Sequence, residues 1–173
     1  MADDNRTGGW VGSDFQLPPR PDGQVAMCGA CKRLGRCRLG LTREELDADG
    51  VMHARIRCPA DHEGGPNVAH GGWTASILDE VLGHVPILNG QLAVTGTLEV
   101  RFIRPVPIER ELEARAWIER REPRRWYIAG ELRLSSTGAT LASARGAWVL
   151  RDPAHFDRHA QWLAEQDRQA GAT

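Results

Sequence analysis

At 173 residues the chain has the length of one domain, and 41% apolar with 26% charged side chains is ordinary globular usage, which excludes a disordered or fibrous polymer. The 22 basic and 23 acidic side chains leave a net charge of -1, too weak a field to hold a polyphosphate backbone, so nucleic acid is excluded as a main partner. No apolar run approaches the ~20 residues that span a bilayer. The polar start Met1-Ala2-Asp3-Asp4-Asn5-Arg6 has no apolar segment behind it, so a cytoplasmic chain with no membrane partner is expected.

Residues 1–50 read as an irregular N-terminal arm. Residues 1–24 are rich in Gly, Pro, Asp and Arg around Leu17-Pro18-Pro19-Arg20-Pro21, which favours neither helix nor strand. Cys28, Cys31, Cys37 and Cys58 occur without an export signal, a context in which thiols stay free. Cys28-Gly29-Ala30-Cys31 has the spacing of half a zinc site, which Cys37, or Cys58 with His62, could complete. No second paired spacing follows, and no metal is assigned.

The domain proper is expected over residues 51–151. From Val51 to Cys58, Met52, Ala54, Ile56 and Cys58 alternate with His53, Arg55 and Arg57, the period of a half-buried strand that Pro59 ends. Asp61 to Pro66 is a loop by composition. From His70 to about His84, Trp73, Ile77, Leu78, Val81, Leu82 and Val85 recur at three and four residues, predicting a helix apolar around most of its circumference. Four strand-like stretches follow: Val94 to Arg104, Glu111 to Arg121, Arg125 to Ser135 and Thr140 to Arg151. The last two are separated by the turn signal Ser136-Thr137-Gly138. Residues 152–173 should hold a short helix and tail, with Asp152 as N-cap, Pro153 at the first helical position, and Phe156, His159, Ala160 and Leu163 on one face. The order implies an α+β domain in which an antiparallel β-sheet of five strands wraps one central helix.

Chemistry concentrates at the front of that helix, in His70-Gly71-Gly72-Trp73-Thr74-Ala75-Ser76-Ile77-Leu78-Asp79-Glu80. Two glycines at a helix start leave free backbone N–H groups open to approach, where the dipole favours negative charge. Asp79 lies about two turns on, on the side shared with Ala75, Ser76 and Leu82, so it enters a largely apolar interior. A carboxylate there needs a partner or a task.

Gly64-Gly65-Pro66-Asn67-Val68-Ala69-His70-Gly71-Gly72 followed by Leu78-Asp79-Glu80 resembles the signature of the hotdog-fold acyl-CoA thioesterases of the phenylacetate-degradation type. The likeness continues through Thr95 to Pro107, with Arg104-Pro105-Val106-Pro107 ending a strand, and through Cys28 to Leu41, covering roughly residues 28–150. The resemblance implies a hotdog fold, hydrolysis of acyl-CoA to free acid and coenzyme A, and no cofactor beyond the coenzyme A of the substrate. It also implies a homodimer or a dimer of dimers. It makes Asp79, nine positions after His70, the catalytic carboxylate, acting as general base or as nucleophile, and Gly71 the N–H donor to the thioester oxygen. Thr95 falls where a hydroxyl residue lies beside the attacking water on the partner subunit. Many members carry Asn or Gln six positions before the histidine, where Gly64 stands, with Asn67 nearby but out of register.

Several of these residues have a second reading. His70 is an acid-base group, or a helix-start residue bonded to backbone. Glu80 is rotated ~100° from Asp79, toward a subunit contact, substrate or solvent. With Asn67 and Gly72, it completes the substrate-side set together with Arg101 and Arg104, whose guanidinium groups suit coenzyme A phosphates. Two other functions compete with hydrolysis: a hotdog dehydratase or hydratase, and a non-catalytic acyl-CoA-binding module.

Overall fold

A computed structural model of the chain describes residues 23–171. The proline-rich stretch 17–21 lies outside the described residues. In chain order the elements are helix α1 (Gly29–Leu34), strands β1 (Leu41–Leu46), β2 (Met52–Arg57), β3 (Glu63–Gly65) and β4 (Val68–Ala69), and helix α2 (Gly71–Leu88). Strands β5 (Ala93–Phe102), β6 (Glu111–Glu122), β7 (Arg125–Leu134) and β8 (Thr140–Leu150) follow, then helix α3 (His155–Ala170).

Six strands form one antiparallel sheet in the order β1-β2-β6-β7-β8-β5, and β3 with β4 makes a separate two-stranded ribbon. The expected five strands thus become six, because the arm is not irregular throughout residues 1–50. Its stretch Leu-Thr-Arg-Glu-Glu-Leu, charged at the centre and without alternation, is the edge strand β1, paired to β2. A register shift between Leu41 and Arg43 turns both Leu41 and Glu44 inward, so period-two reading misses it.

The sheet wraps α2. Trp73, Ile77, Leu78, Val81, Leu82 and Val85 are buried against Met52, Ile56, Leu112, Ile128, Leu132 and Trp148. Ala114, Ala116, Ala142 and Ala144 line the same face, and at Gly130 an added Cβ would lie 2.7 Å from Leu82 Cδ1 and 2.6 Å from Arg115 O. Small residues under the helix let the sheet curve closely around it, which is why α2 is apolar on so many sides. Pro86 sits within the last turns of α2, and the helix runs past the expected His84 to Leu88.

The C-terminal helix begins later than expected. Ala154 is its N-cap, while Asp152 takes two hydrogen bonds from Arg158, at 3.1 and 3.0 Å. None of its residues is fully buried, and Trp162 and Leu163 remain exposed. No described helix is long and apolar enough to cross a membrane.

Candidate active site

Asp79 lines a cleft of about 300 Å³ between α2 and the start of β5, walled by Ala26, Ile87, Val94 and Trp148. The side chain of Thr95 reaches it from β5, with Oγ1 donating to Asp79 Oδ1 at 2.8 Å. A register shift between Thr95 and Thr97, at Gly96, sits beside this contact, and a bulge of that kind re-aims a strand side chain. Burial pushes the Asp79 carboxyl above its ordinary range, the Thr95 hydrogen bond pulls it partly back, and the neighbouring Glu80 charge raises it again.

At the other end of the site, His70 is the N-cap of α2. Its Nδ1 accepts the Gly72 N–H at 2.9 Å, so the imidazole is committed to capping. Gly71 is the first helical residue, and its N–H has no carbonyl within the helix to reach. Phe102, at the end of β5, lies close by, 3.7 Å from where a Cβ on Gly71 would be. β5 therefore runs back along α2, with Phe102 beside Gly71 and Thr95 beside Asp79. Asp79 stands eight residues after Gly71, which at 1.5 Å per residue is about 12 Å along the helix.

The description "Thioesterase superfamily" fits a family model matched by residues 66–140, the segment that holds α2 and the strands packed on it. The six-stranded sheet wrapped on α2 agrees with that match. The fold is the hotdog fold, and the segment 66–140 is similar to the thioesterase superfamily. Over 91 residues, 53% of this chain and 37% of the relative, the sequence is 26% identical to acyl-coenzyme A thioesterase THEM4 of Bos taurus. The match thus spans little more than a third of that relative's length. A crystal structure of a thioesterase superfamily protein is similar at TM-score 0.59 and 27% identity, over 64% of this chain and 56% of that one. The PaaI protein of the phenylacetic acid degradation operon of E. coli shares the fold at TM-score 0.55 and 21% identity, over 60% and 74% of the two chains.

Within this hotdog fold, the sequence-predicted residues fall into separate groups. Asp79, Glu80 and Thr95 share the cleft. Thr95 bonds to the Asp79 of its own chain because β5 follows α2 and folds back along it. His70, Gly71 and Gly72 gather at the helix start. Asn67 is the turn residue of the β3–β4 ribbon, at φ 58, a left-handed conformation that Asn tolerates, with its N–H bonded to Glu63. Arg104 Nη1 donates to the Thr140 carbonyl at 2.6 Å, and Arg101 lies with Trp117 and Arg145 on the sheet face turned away from α2.

The structure also explains Gly64. A Cβ there would lie 2.7 Å from His70 Cα and 3.1 Å from His70 N, so the ribbon can seat the helix start only with glycine at this position. Cys28, Cys31, Cys37 and Cys58 are free thiols, Cys28 lining the Asp79 cleft and Cys31 accepting the Arg38 N–H at 3.3 Å. No group of three or more His, Cys, Asp and Glu is arranged to hold a metal among the described residues.

Sequence reading missed a buried set behind the cleft. His84 Nδ1 lies 2.6 Å from Glu44 Oε2, and His84 Nε2 lies 3.2 Å from Glu80 Oε1. Glu80 and His84 stand at i and i+4 on α2, a signal that was available; Glu44 comes from the edge strand and carries none.

Proposed function

We propose that the chain hydrolyses acyl-CoA thioesters, in a homodimer whose two active sites each draw on both subunits. The observation that carries this reading is the spacing along α2: a carboxylate raised toward basicity and a free helix-start N–H, about 12 Å apart, too far to act on one thioester from one chain. Strand β5 is an edge of the sheet, exposed at Thr95, Gly96, Thr97, Glu99, Arg101 and Phe102, and an open edge invites pairing. Two copies of β5 paired antiparallel about a two-fold axis bring the start of one strand to the end of the other. Asp79 and Thr95 of one subunit then face Gly71 and Phe102 of its partner.

In that site the thioester oxygen sits on the Gly71 N–H, whose position at the helix start favours developing negative charge. Asp79 takes a proton from water as the water oxygen attacks the carbonyl carbon; the tetrahedral oxyanion collapses, the C–S bond breaks, and the coenzyme A thiolate leaves. Attack by Asp79 itself, through an anhydride that water then opens, uses the same groups. Ile87, Ala93, Val94 and Trp148 give the cleft an apolar wall, which supports short-to-medium or aryl acyl groups.

The test is release of free coenzyme A thiol from a panel of acyl-CoAs. Asp79→Asn keeps the shape and removes the base, so turnover should fall by on the order of 10² or more with the dimer intact. Gly71→Pro removes the N–H at a position where proline suits a helix. Mixing and reassorting the two dead variants should restore about a quarter of wild-type activity, since half the dimers are mixed and each has one complete site. No rescue on mixing, or a sedimentation mass near the 19.1 kDa of one chain, would sink the shared-site reading.

A further inference from the structure

The buried set behind the cleft has no part in the mechanism above. His84 is buried inside the domain and Glu44 is fully buried, its other carboxylate oxygen accepting the Ala26 N–H at 2.5 Å. Their contacts, 2.6 Å to Glu44 and 3.2 Å to Glu80, make a line from the edge strand β1 through α2 to the cleft. Two carboxylates and one imidazolium satisfy one another there, as buried charges must. The far end of the line, Glu80, is the sequence neighbour of Asp79 and shares its cleft.

We propose that Glu80 is a positioning residue that sets the basicity of Asp79 through its fixed negative charge, and that the buried Glu44–His84 pair exists to hold that charge in place. This rests on the reading of Asp79 as the base. Burial works against ionisation of Glu80, but the hydrogen bond and charge of His84, with Arg38 nearby, outweigh it and keep the carboxyl below its ordinary range. Glu80 therefore stays charged while Asp79 titrates. Burial also opposes the charged form of His84, yet Glu44 and Glu80 together push it up to about 10, so the clamp stays closed at neutral pH. The other groups facing this region are Cys37 and Arg38 behind Glu80, Cys28 in the cleft and the Thr95 hydroxyl; β5 and β8 present no charge to it. Burial raises the Asp79 carboxyl most and the Thr95 hydrogen bond lowers it, and the Glu80 charge adds to the rise.

The experiment follows the acid limb of kcat/KM, which reports the free enzyme, together with the carboxyl carbon-13 NMR titration of Asp79, which needs no turnover. In Glu80→Gln both should move to lower pH by on the order of half a unit or more, since a like charge at close range is removed. Glu44→Gln removes an equal charge from the far side of His84 and should move both by far less. A purely structural role for Glu80 would lower kcat with neither titration displaced, and that result overturns the proposal, as does an equal displacement in Glu44→Gln. If Asp79→Asn turns over at the wild-type rate, the base assignment fails with it, whereas the NMR titration still decides whether Glu80 governs the Asp79 carboxyl.

Discussion

Thr95 Oγ1 donates a 2.8 Å hydrogen bond to Asp79 Oδ1 within one chain, so the strand that carries the hydroxyl and the helix that carries the carboxylate form a single unit. A bond to the charged form favours ionisation, which makes Thr95 a brake on the upward push from burial.

Thr95→Ala releases that brake. The Asp79 carboxyl should rise further, moving the acid limb of kcat/KM to higher pH by roughly half to one unit while the fold is retained. The pH profile of coenzyme A release measures it. An acid limb displaced to lower pH would contradict the contact.

Asp79 should cost the fold stability at neutral pH. Its folded-state carboxyl titrates above the ~3.9 of an unfolded Asp, so between those values the folded state binds the extra proton and stability falls as pH rises. Asp79→Asn removes this penalty. Thermal melts should show the variant more stable than wild type at neutral pH, with the gain gone once the pH is below that of the free carboxyl, a trade of stability for activity.

His84 has the same sign and a higher window. Its folded value, about 10, lies above the ~6.5 of a free His, so its contribution is fully present below the free value and is lost as pH rises through about 10. The melting temperature should therefore decline from about pH 6.5 to about pH 10. His84→Ala, which strands Glu44 uncompensated in the interior, should cost on the order of 3 to 5 kcal/mol at neutral pH, whereas Glu44→Leu with His84→Leu should be nearly neutral and lose the alkaline slope. Chemical denaturation of the three proteins across that range checks both statements.

Gly64 invites a tempting substitution, since the resemblance to the thioesterases implies Asn or Gln there. Because any Cβ at this position meets the His70 backbone at 2.7 Å, Gly64→Asn should displace the β3–β4 ribbon and cost about 1 to 3 kcal/mol, and it should lower turnover. A variant with wild-type melting temperature and higher activity would show that the ribbon yields.

What the sequence determined by itself is whatever depends on neighbours along the chain. The helix from His70 to about His84, the strand alternation of Val51 to Cys58 and Glu111 to Arg121, and the turn at Gly138 follow from local period and backbone preference, and the spacing from His70 to Asp79 follows from helical rise. What only the tertiary structure decided depends on groups far apart in sequence. Edge strand β1 exists because its backbone pairs with β2, although its side chains carry no alternation, and Gly64 is glycine because a ribbon lies on a helix start. The Glu44–His84–Glu80 set is the clearest case. Residues 40 positions apart become partners at 2.6 Å only once β1 closes over α2, and a buried charge finds its compensation through packing that no local pattern encodes.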